Sequence, residues 1–232
     1  MLILGIETSA KACSAALCRD GELLAQSYER TGLTHSRTLL PMIENMLSNT
    51  ETPKDAIDMV AVAQGPGSFT GIRIGISTAK GLCWGLDIPA VGVSTLEAMA
   101  QSARFVPEGT IVCPAMDARR SQLYNALFTV QNGALVRLTE DRAIAADALA
   151  EELSGSGKSV WRRLGDLRKG AEGTWRFLHR GPRGASLADS VRRVSGGAEQ
   201  NPDRSGRPAA GLSSSFPGGT RAAEPYERSL RK

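Results

Sequence analysis

Short apolar runs alternate with amphipathic stretches along the first part of the chain. Leu39, Ile43 and Leu47 recur at helical spacing, which predicts a helix from Thr38 to Leu47 with Pro41 in its first turn. Four apolar runs of five or six residues predict strands, at 2–6, 13–18, 59–63 and 88–93, and a hairpin turn at 19–22 predicts that 23–28 pairs back as a further strand. Strands and helices that alternate in this way are typical of an α/β layer.

A second unit of the same kind begins near Thr110. Apolar runs predict strands at 111–116, 123–130 and 134–138, and a polar turn at 117–120 separates the first two. A helix is predicted from Asp147 to Leu153. We therefore expect a first α/β lobe over residues 1–105 and the start of a second α/β lobe over residues 106–153.

The stretch that joins the strands at 59–63 and 88–93 is rich in glycine. Its first glycines end a strand, Ser68 or Thr70 can cap a helix, and four further glycines interrupt that helix, at 71, 75, 81 and 85. Each interior glycine costs about 1 kcal/mol relative to alanine, so this helix needs a close neighbour. Two interpretations remain open, which are anion binding at the helix N-terminus and tight packing. Packing is favoured because Ile72 and Arg73 follow Gly71, where a phosphate-binding loop has lysine and a hydroxyl residue.

Charge divides the chain into two unlike parts. Residues 1–154 carry 12 basic and 17 acidic side chains, a net charge of −5, whereas residues 155–232 carry 16 and 7, a net charge of +9. Gly, Ser, Pro and Arg dominate the second part, and neither a helical nor a strand period is sustained there. We expect residues 154–232 to be disordered. A further possibility is that their basic side chains bind nucleic acid electrostatically.

The cysteines and the N-terminus point to a reducing compartment. Cys13, Cys18, Cys83 and Cys113 lack metal-ligand spacing and lie in apolar stretches, which predicts buried free thiols. The N-terminus has an early acid, Glu7, and no basic leader. No apolar run reaches the roughly 20 residues of a membrane-spanning helix. We therefore expect a cytoplasmic protein with no membrane contact.

Five motifs occur together in a fixed order, and together they resemble one family. They are Gly5–Ser9, His35–Ser36 leading to Leu39–Pro41, Gly65–Arg73, Gly92–Leu96 and Asp117–Arg120. Residues 1–153 thereby resemble the TsaB (YeaZ) family, the bacterial subunit for threonylcarbamoyladenosine (t6A) formation in tRNA. The resemblance implies an actin-like, sugar-kinase-like fold of two α/β lobes.

The tail departs from this resemblance. Family members continue into a complete second lobe, whereas residues 154–232 have no matching motif, so we expect the second lobe to be truncated or replaced by the tail. The Gly/Arg/Ser/Pro bias is similar to out-of-frame translation of a GC-rich gene, which predicts a frameshift near residues 153–161.

The resemblance also implies a subunit without catalytic activity of its own. The catalytic relative carries a metal-binding pair of histidines where this chain has Thr95 and Met99, and acids where it has Lys11 and Ala12. Within residues 1–153 the single histidine is His35, so a two-histidine metal site is impossible there. We expect no catalytic residue, no metal and no cofactor.

The implied partner is TsaD, the catalytic paralogue that transfers the threonylcarbamoyl group to adenosine 37 of tRNAs reading ANN codons. The TsaE ATPase and, through the complex, tRNA are further implied partners, and the chain alone could form a homodimer. The alternative from another functional class is an ATP-dependent phosphotransferase of the same fold.

Two sets of candidate site residues follow. The predicted partner interface consists of Leu39, Ile43, Met46, Gly71, Ile72, Gly75, Ala79 and Gly85. The predicted vestigial phosphate-type loop consists of Glu7, Ser9, Gly65, Gly67 and Ser68, which would line the nucleotide site in the phosphotransferase alternative. If the glycines face a partner, Gly75→Leu and Gly85→Leu should keep or raise the stability of the chain and weaken association.

Overall fold

The computed structural model describes residues 1–103, 105–155 and 160–165. The first lobe contains a five-stranded sheet in the order β3-β2-β1-β4-β5, in which β1 is antiparallel to β2 and parallel to β4. Its elements are β1 (Leu2–Glu7), β2 (Cys13–Arg19), β3 (Glu22–Glu29), α1 (His35–Asn49), β4 (Met59–Gly65), α2 (Phe69–Leu86), β5 (Ala90–Ser94) and α3 (Thr95–Ala100).

Helices α1 and α2 pack on the same face of this sheet. Leu4 and Ile6 of β1 and Val62 of β4 lie fully buried beneath them, in one apolar cluster with side chains of both helices. Helix α3 instead joins the two lobes, because Leu96 packs with Phe128 in a separate cluster of the second lobe. The outer sides of α1 and α2 are therefore not covered by the sheet of the first lobe.

The second lobe repeats the strand order of the first around a central strand, β6. Strand β6 pairs antiparallel with β7 and β8, which share one of its edges, and parallel with β11 on the other edge. Strands β9 and β10 pair with β8 and β7, so the order 3-2-1-4 recurs. The elements are β6 (Ile111–Arg119), β7 (Gln122–Asn125), β8 (Phe128–Gln131), β9 (Ala134–Arg137), β10 (Arg142–Ala145), α4 (Ala146–Gly155) and β11 (Val160–Gly165). The predicted actin-like, sugar-kinase-like architecture is confirmed.

The predicted start of α1 is wrong. The helix begins at His35 rather than Thr38, so Pro41 lies inside the helix instead of in its first turn. Proline has no N–H and leaves the carbonyl of Arg37, four residues earlier, without its helical donor. Both Arg37 and Pro41 are exposed, so water can hydrate that carbonyl.

Three predictions for the second lobe also need correction. The predicted strand 123–130 is divided at Leu127 into β7 and β8. The Leu127 carbonyl accepts from Leu138 N–H at 2.8 Å and its N–H donates to Thr139 Oγ1 at 2.8 Å, so both backbone groups bond to the segment that follows β9. Strand β10 was missed. Strand β11 lies within the segment 154–232 that was predicted to be disordered, so the predicted start of disorder is too early in the chain. The rest of that prediction, and the predicted frameshift, fall outside the described residues.

The cysteine prediction is confirmed. All four cysteines are free and buried, and burial raises the pKa of the Cys83 thiol to about 11. No helix among the described residues is long and apolar enough to cross a membrane.

Helix α2 lies unusually close to the end of β1. The Thr8 side chain is fully buried and its hydroxyl donates to the Gly71 carbonyl at 2.8 Å. A Cβ added at Gly71 would collide with the Thr8 carbonyl oxygen, and one added at Gly75 would collide with Thr8 Oγ1. In contrast, a Cβ at Gly81 or Gly85 would meet nothing within 4 Å. The glycines of α2 therefore have two different roles, close packing in the first half and open surface in the second.

We expect Gly71→Ala and Gly81→Ala to change the stability in opposite directions. Gly71→Ala should lower the free energy of unfolding by about 1–3 kcal/mol, because a backbone atom of Thr8 occupies the space of the new methyl group. Gly81→Ala should raise it by about 0.5–1 kcal/mol through helix propensity alone. Urea unfolding followed by circular dichroism measures both, and equal effects of the two variants would contradict the close approach at Thr8.

Candidate functional site

Most of the predicted partner interface lies inside the chain's own core. Six of its eight residues are buried, because α1 and α2 turn them toward the sheet of the first lobe. These residues are Leu39, Ile43, Met46, Gly71, Gly75 and Ala79. Ile72 is half-buried, and its Cδ1 would lie 3.2 Å from a Cβ at Gly65. Of the eight, Gly85 alone is exposed, so the expectation that Gly75→Leu leaves the chain stable is wrong.

The same two helices nevertheless expose a different set of side chains. Phe69 and Trp84 are 68% and 85% exposed, so two large aromatic side chains of α2 face water. Leu40 of α1 is also exposed, and a groove of about 440 Å³ separates it from Arg73 and Ser77 of α2. We call Leu40, Phe69, Arg73, Ser77 and Trp84 the helix surface. It lies on the opposite side of the helices from the six buried predicted residues, and the exposed aromatic side chains were the signal that could have found it.

The predicted phosphate-type loop borders a cleft between the lobes. Ser9, Gly67 and Ser68 line a cavity of about 710 Å³, whereas Glu7 and Gly65 do not line it. The Ser68 N–H donates to the Ser9 carbonyl at 2.7 Å, and Ser68 Oγ caps α2 by accepting from Gly71 N–H. A Cβ at Gly67 would lie 2.5 Å from the Ser9 carbonyl oxygen, and Gly67 has φ of 156°. The loop is glycine-rich because it lies directly against β1.

The Glu7 carboxylate forms a hydrogen bond within its own loop. One of its carboxylate oxygens accepts from the Ser9 N–H at 2.5 Å. Burial raises the pKa of Glu7 above its ordinary value, and the hydrogen bond from the Ser9 N–H and the charge of His35 oppose this effect only in part. The carboxylate is thus turned toward the backbone of its own loop.

Ser9 and His35 do not form a nucleophile–base pair. His35 Nε2 lies 2.9 Å from the Ala10 carbonyl, which can only accept, so this nitrogen carries a proton and is no base. The Ser9 hydroxyl is buried and has no hydrogen-bond partner among the described residues. Activation of a serine needs a base within hydrogen-bond reach, and His35 Nε2 contacts the Ala10 carbonyl instead of Ser9. His35 is therefore a half-buried contact to the β1–β2 loop rather than a catalytic group.

The far wall of the cleft comes from the second lobe, and sequence reasoning did not assign it to a site. Asp117, Arg119 and Tyr124 line the cavity opposite Ser9. The turn after β6 has φ of 67°, 51° and 59° at three successive non-glycine residues, Arg119 to Ser121. Asp117 stabilises it by accepting from Arg119 N–H at 2.7 Å. Local sequence predicts a polar turn here, but only the pairing of the lobes brings it to the cleft.

A charged cluster joins the two lobes. Arg137 of β9 donates to Glu97 of α3 at 3.2 Å and to Asp141 at 2.7 Å. Ser94 donates to the other oxygen of Asp141 at 2.7 Å. The guanidinium of Arg137 also lies 4.7 Å from the centroid of the Phe128 ring. Ser94 and Glu97 thus belong to the lobe contact, and Ser94 Oγ also caps α3 by accepting from Glu97 N–H.

Comparison with known proteins identifies the family. A family model described as TsaD, tRNA N6-adenosine threonylcarbamoyltransferase, matches residues 29–161. The chain is 38% identical over 176 residues to the tRNA threonylcarbamoyladenosine biosynthesis protein TsaB of Escherichia coli K12, covering 73% of this chain and 76% of the relative. The chain belongs to the TsaB family.

Two further relatives are consistent with TsaB membership and with kinship to TsaD. A solved Pseudomonas aeruginosa protein with similarity to the peptidase YeaZ is 31% identical, with a TM-score of 0.63, and the match covers 69% of this chain and 74% of that one. The tRNA N6-adenosine threonylcarbamoyltransferase of Salinibacter ruber is 29% identical, and the match covers 68% of this chain and 52% of that one. The alignment with E. coli TsaB covers a larger share of the chain than residues 1–153, the extent predicted from the motifs.

We expect Glu7→Gln to stabilise this TsaB chain at neutral pH. Unfolded Glu7 ionises near 4.5 and the folded residue ionises above that value, so between these two pKa values the folded chain holds the extra proton. The free energy of unfolding contributed by Glu7 therefore falls as pH rises through this window. The gain in Glu7→Gln should be largest above the folded pKa and disappear below pH 4.5.

Unfolding by urea across a pH series measures this, with Glu22→Gln as the control. Glu22 is exposed on β3, so its replacement removes the same charge without the burial. An equal pH profile for both variants would contradict the effect of burial at Glu7.

Proposed function

We propose that this chain is a non-catalytic subunit that holds and activates TsaD for threonylcarbamoyl transfer to adenosine 37 of ANN-decoding tRNAs. Support comes from the TsaB relatives, whose names place them in tRNA threonylcarbamoyladenosine biosynthesis. The match to the TsaD family model supports a paralogous relation between the two subunits. The single observation that carries the proposal is the helix surface, which exposes two large aromatic side chains on the outside of an otherwise packed helix pair.

The residues at the positions of the catalytic relative's histidines have structural roles here. Thr95 is buried at the start of α3, and Met99 packs against the cluster that contains Leu96 and Phe128. Neither side chain suits a metal ion at this place. This supports a subunit that contributes a surface rather than a reaction centre, and we continue to expect no cofactor and no metal.

Docking on the helix surface fits the physics of stable interfaces. Exposed aromatic side chains beside a groove are typical anchors, because burying them removes a large apolar area from water. In the chain without a partner, most of the apolar surface of Trp84 is exposed to water. Gly81 and Gly85 lie beside it with open space above them, so a partner backbone can approach α2 closely. The surface therefore suits a helix pair of TsaD, arranged like α1 and α2.

The remaining partners follow from the same proposal. tRNA and the TsaE ATPase would meet this chain within the complex, and the isolated chain would use the helix surface to form a homodimer. A tRNA-modification subunit works in the cytoplasm, and four free buried thiols are compatible with that compartment. The phosphotransferase alternative is not kept, because the family is that of the threonylcarbamoyl transfer system rather than that of sugar kinases.

We expect the chain to copurify with tagged TsaD of the same organism and to support t6A formation only in its presence. Trp84→Asp should weaken this association at least tenfold, because a charge replaces the most exposed anchor. Phe105→Asp is the matched control, since Phe105 is 74% exposed and lies outside the helix surface, between α3 and β6. Isothermal titration calorimetry measures both, with circular dichroism to verify folding.

Two results would count against the proposal. The first is a wild-type chain that does not bind TsaD, and the second is t6A formation by TsaD that is unaffected by the chain. ATP hydrolysis by the isolated chain that survives repurification and disappears in Glu7→Ala would favour the phosphotransferase instead.

A further inference from the structure

The outer edge of β5 has no strand partner among the described elements. Strand β5 is the last strand of the first sheet, and it pairs with β4 on its inner side. Each of its five residues is partly exposed. An edge of this kind presents backbone N–H and C=O groups that no neighbouring strand uses, so it can accept one more strand.

A groove of about 540 Å³ follows this edge. Two of its lining residues, Val91 and Val93, pack on the face of the sheet that lies away from α1 and α2. Gly92 and Gln64 line it from the other face, because side chains alternate along a strand and a Cβ at Gly92 would meet the Gln64 side chain. Residues of both faces can line one groove only if that groove runs along the strand edge between them.

The groove also contains amide side chains, one of which lacks a partner. Gln64 Oε1 is buried and has no hydrogen-bond partner among the described residues. Gln101 of α3, which is 7% exposed, is a second amide among the lining residues. A buried acceptor without a donor is unfavourable, and a backbone N–H of an added chain would supply that donor.

Carboxylates make the groove acidic. Glu97, Glu140 and Asp141 line it together with one cation, Arg137, which gives a net charge of −2. Arg137 already donates to Glu97 and Asp141, whereas Glu140 is exposed and has no ion pair among the described residues. This charge disfavours the phosphates of a nucleic acid and favours a basic side chain.

We propose that the free edge of β5 is a docking site for an extended, basic segment of a partner protein, which adds to the first sheet as a sixth strand. Backbone hydrogen bonds to β5 supply affinity in this mode of binding, and a lysine or arginine beside Glu140 supplies specificity. Apolar residues at alternate positions of the segment would cover Val91 and Val93. The groove shares no residue with the helix surface, so this proposal does not depend on the partner of that surface.

The probe for this site is a fluorescein-labelled heptapeptide of alternating valine and lysine, and fluorescence anisotropy measures its affinity for the full-length chain. Two control peptides have the same length. One is N-methylated at every residue, so it keeps the charge and loses the backbone donors, and the other has glutamate in place of lysine. Two protein variants carry the same charge reversal, Glu140→Lys in the groove and Glu22→Lys on β3, the opposite edge of the same sheet.

Wild type should bind the valine–lysine peptide in a saturable manner. The N-methylated peptide should bind at least tenfold more weakly because it cannot donate to the carbonyls of β5, and the glutamate peptide should not bind detectably. Glu140→Lys should weaken binding of the valine–lysine peptide at least tenfold, whereas Glu22→Lys should stay within twofold of wild type. Circular dichroism verifies that both variants are folded.

The proposal is wrong if wild type does not bind the peptide, or if the N-methylated peptide binds as tightly, which would indicate charge attraction alone. It is also wrong if Glu22→Lys weakens binding as much as Glu140→Lys does. Cross-linking and mass spectrometry of mixed isotope-labelled and unlabelled chains test two other occupants. Cross-links from β5 to a second copy, or to residues 166–232 of the same chain, would assign the edge to that occupant and overturn the proposal.

Discussion

The close approach of α2 to the end of β1 determines the arrangement of the first lobe. Thr8 is the contact point, since its hydroxyl bonds the Gly71 carbonyl while its own carbonyl and side chain fill the space above Gly71 and Gly75. Only a residue without a Cβ fits at either place. The approach orients α2 so that its remaining glycines and its aromatic side chains face outward. The side of α2 that packs against β1 thus positions the opposite side of the helix, which we propose as a docking surface.

The pattern of apolar residues was sufficient to predict most strands and helices of the first lobe. The runs at 2–6, 13–18, 23–28 and 59–63 correspond to β1 to β4, and Ser68 caps α2 as predicted. The pattern was insufficient for α1, because the rule that proline belongs in a first turn depends on whether the freed carbonyl meets solvent. It was also insufficient for β10 and β11. The first alternates only weakly, and the second was hidden by a change in composition that begins before it.

The candidate site was harder to predict than the fold, for a physical reason. A helical stripe of Leu39, Ile43 and Met46 and a set of glycines identify a helix that needs a close neighbour, but they do not say on which side that neighbour lies. Here the sheet is the neighbour of Gly71 and Gly75, so those residues are buried. The exposed positions of Phe69 and Trp84 could have been noted as large apolar side chains on the opposite side of the helix. The wall of the cleft around Arg119 depends on contacts between lobes, which no local pattern contains.

The parallel pairing of β6 with β11 has a consequence for the order in which the molecule folds during synthesis. Strands β7 and β8 follow β6 closely and can pair with it as soon as they leave the ribosome. Ile111, however, pairs with Val160, which is made only after the rest of the second sheet and α4. Closing so long a loop is entropically unfavourable and slow compared with hairpin formation. Until then one edge of β6 lacks β11, and an unpaired strand edge is a site at which chains can join wrongly. Until β11 is made, the second lobe is therefore open to such wrong contacts.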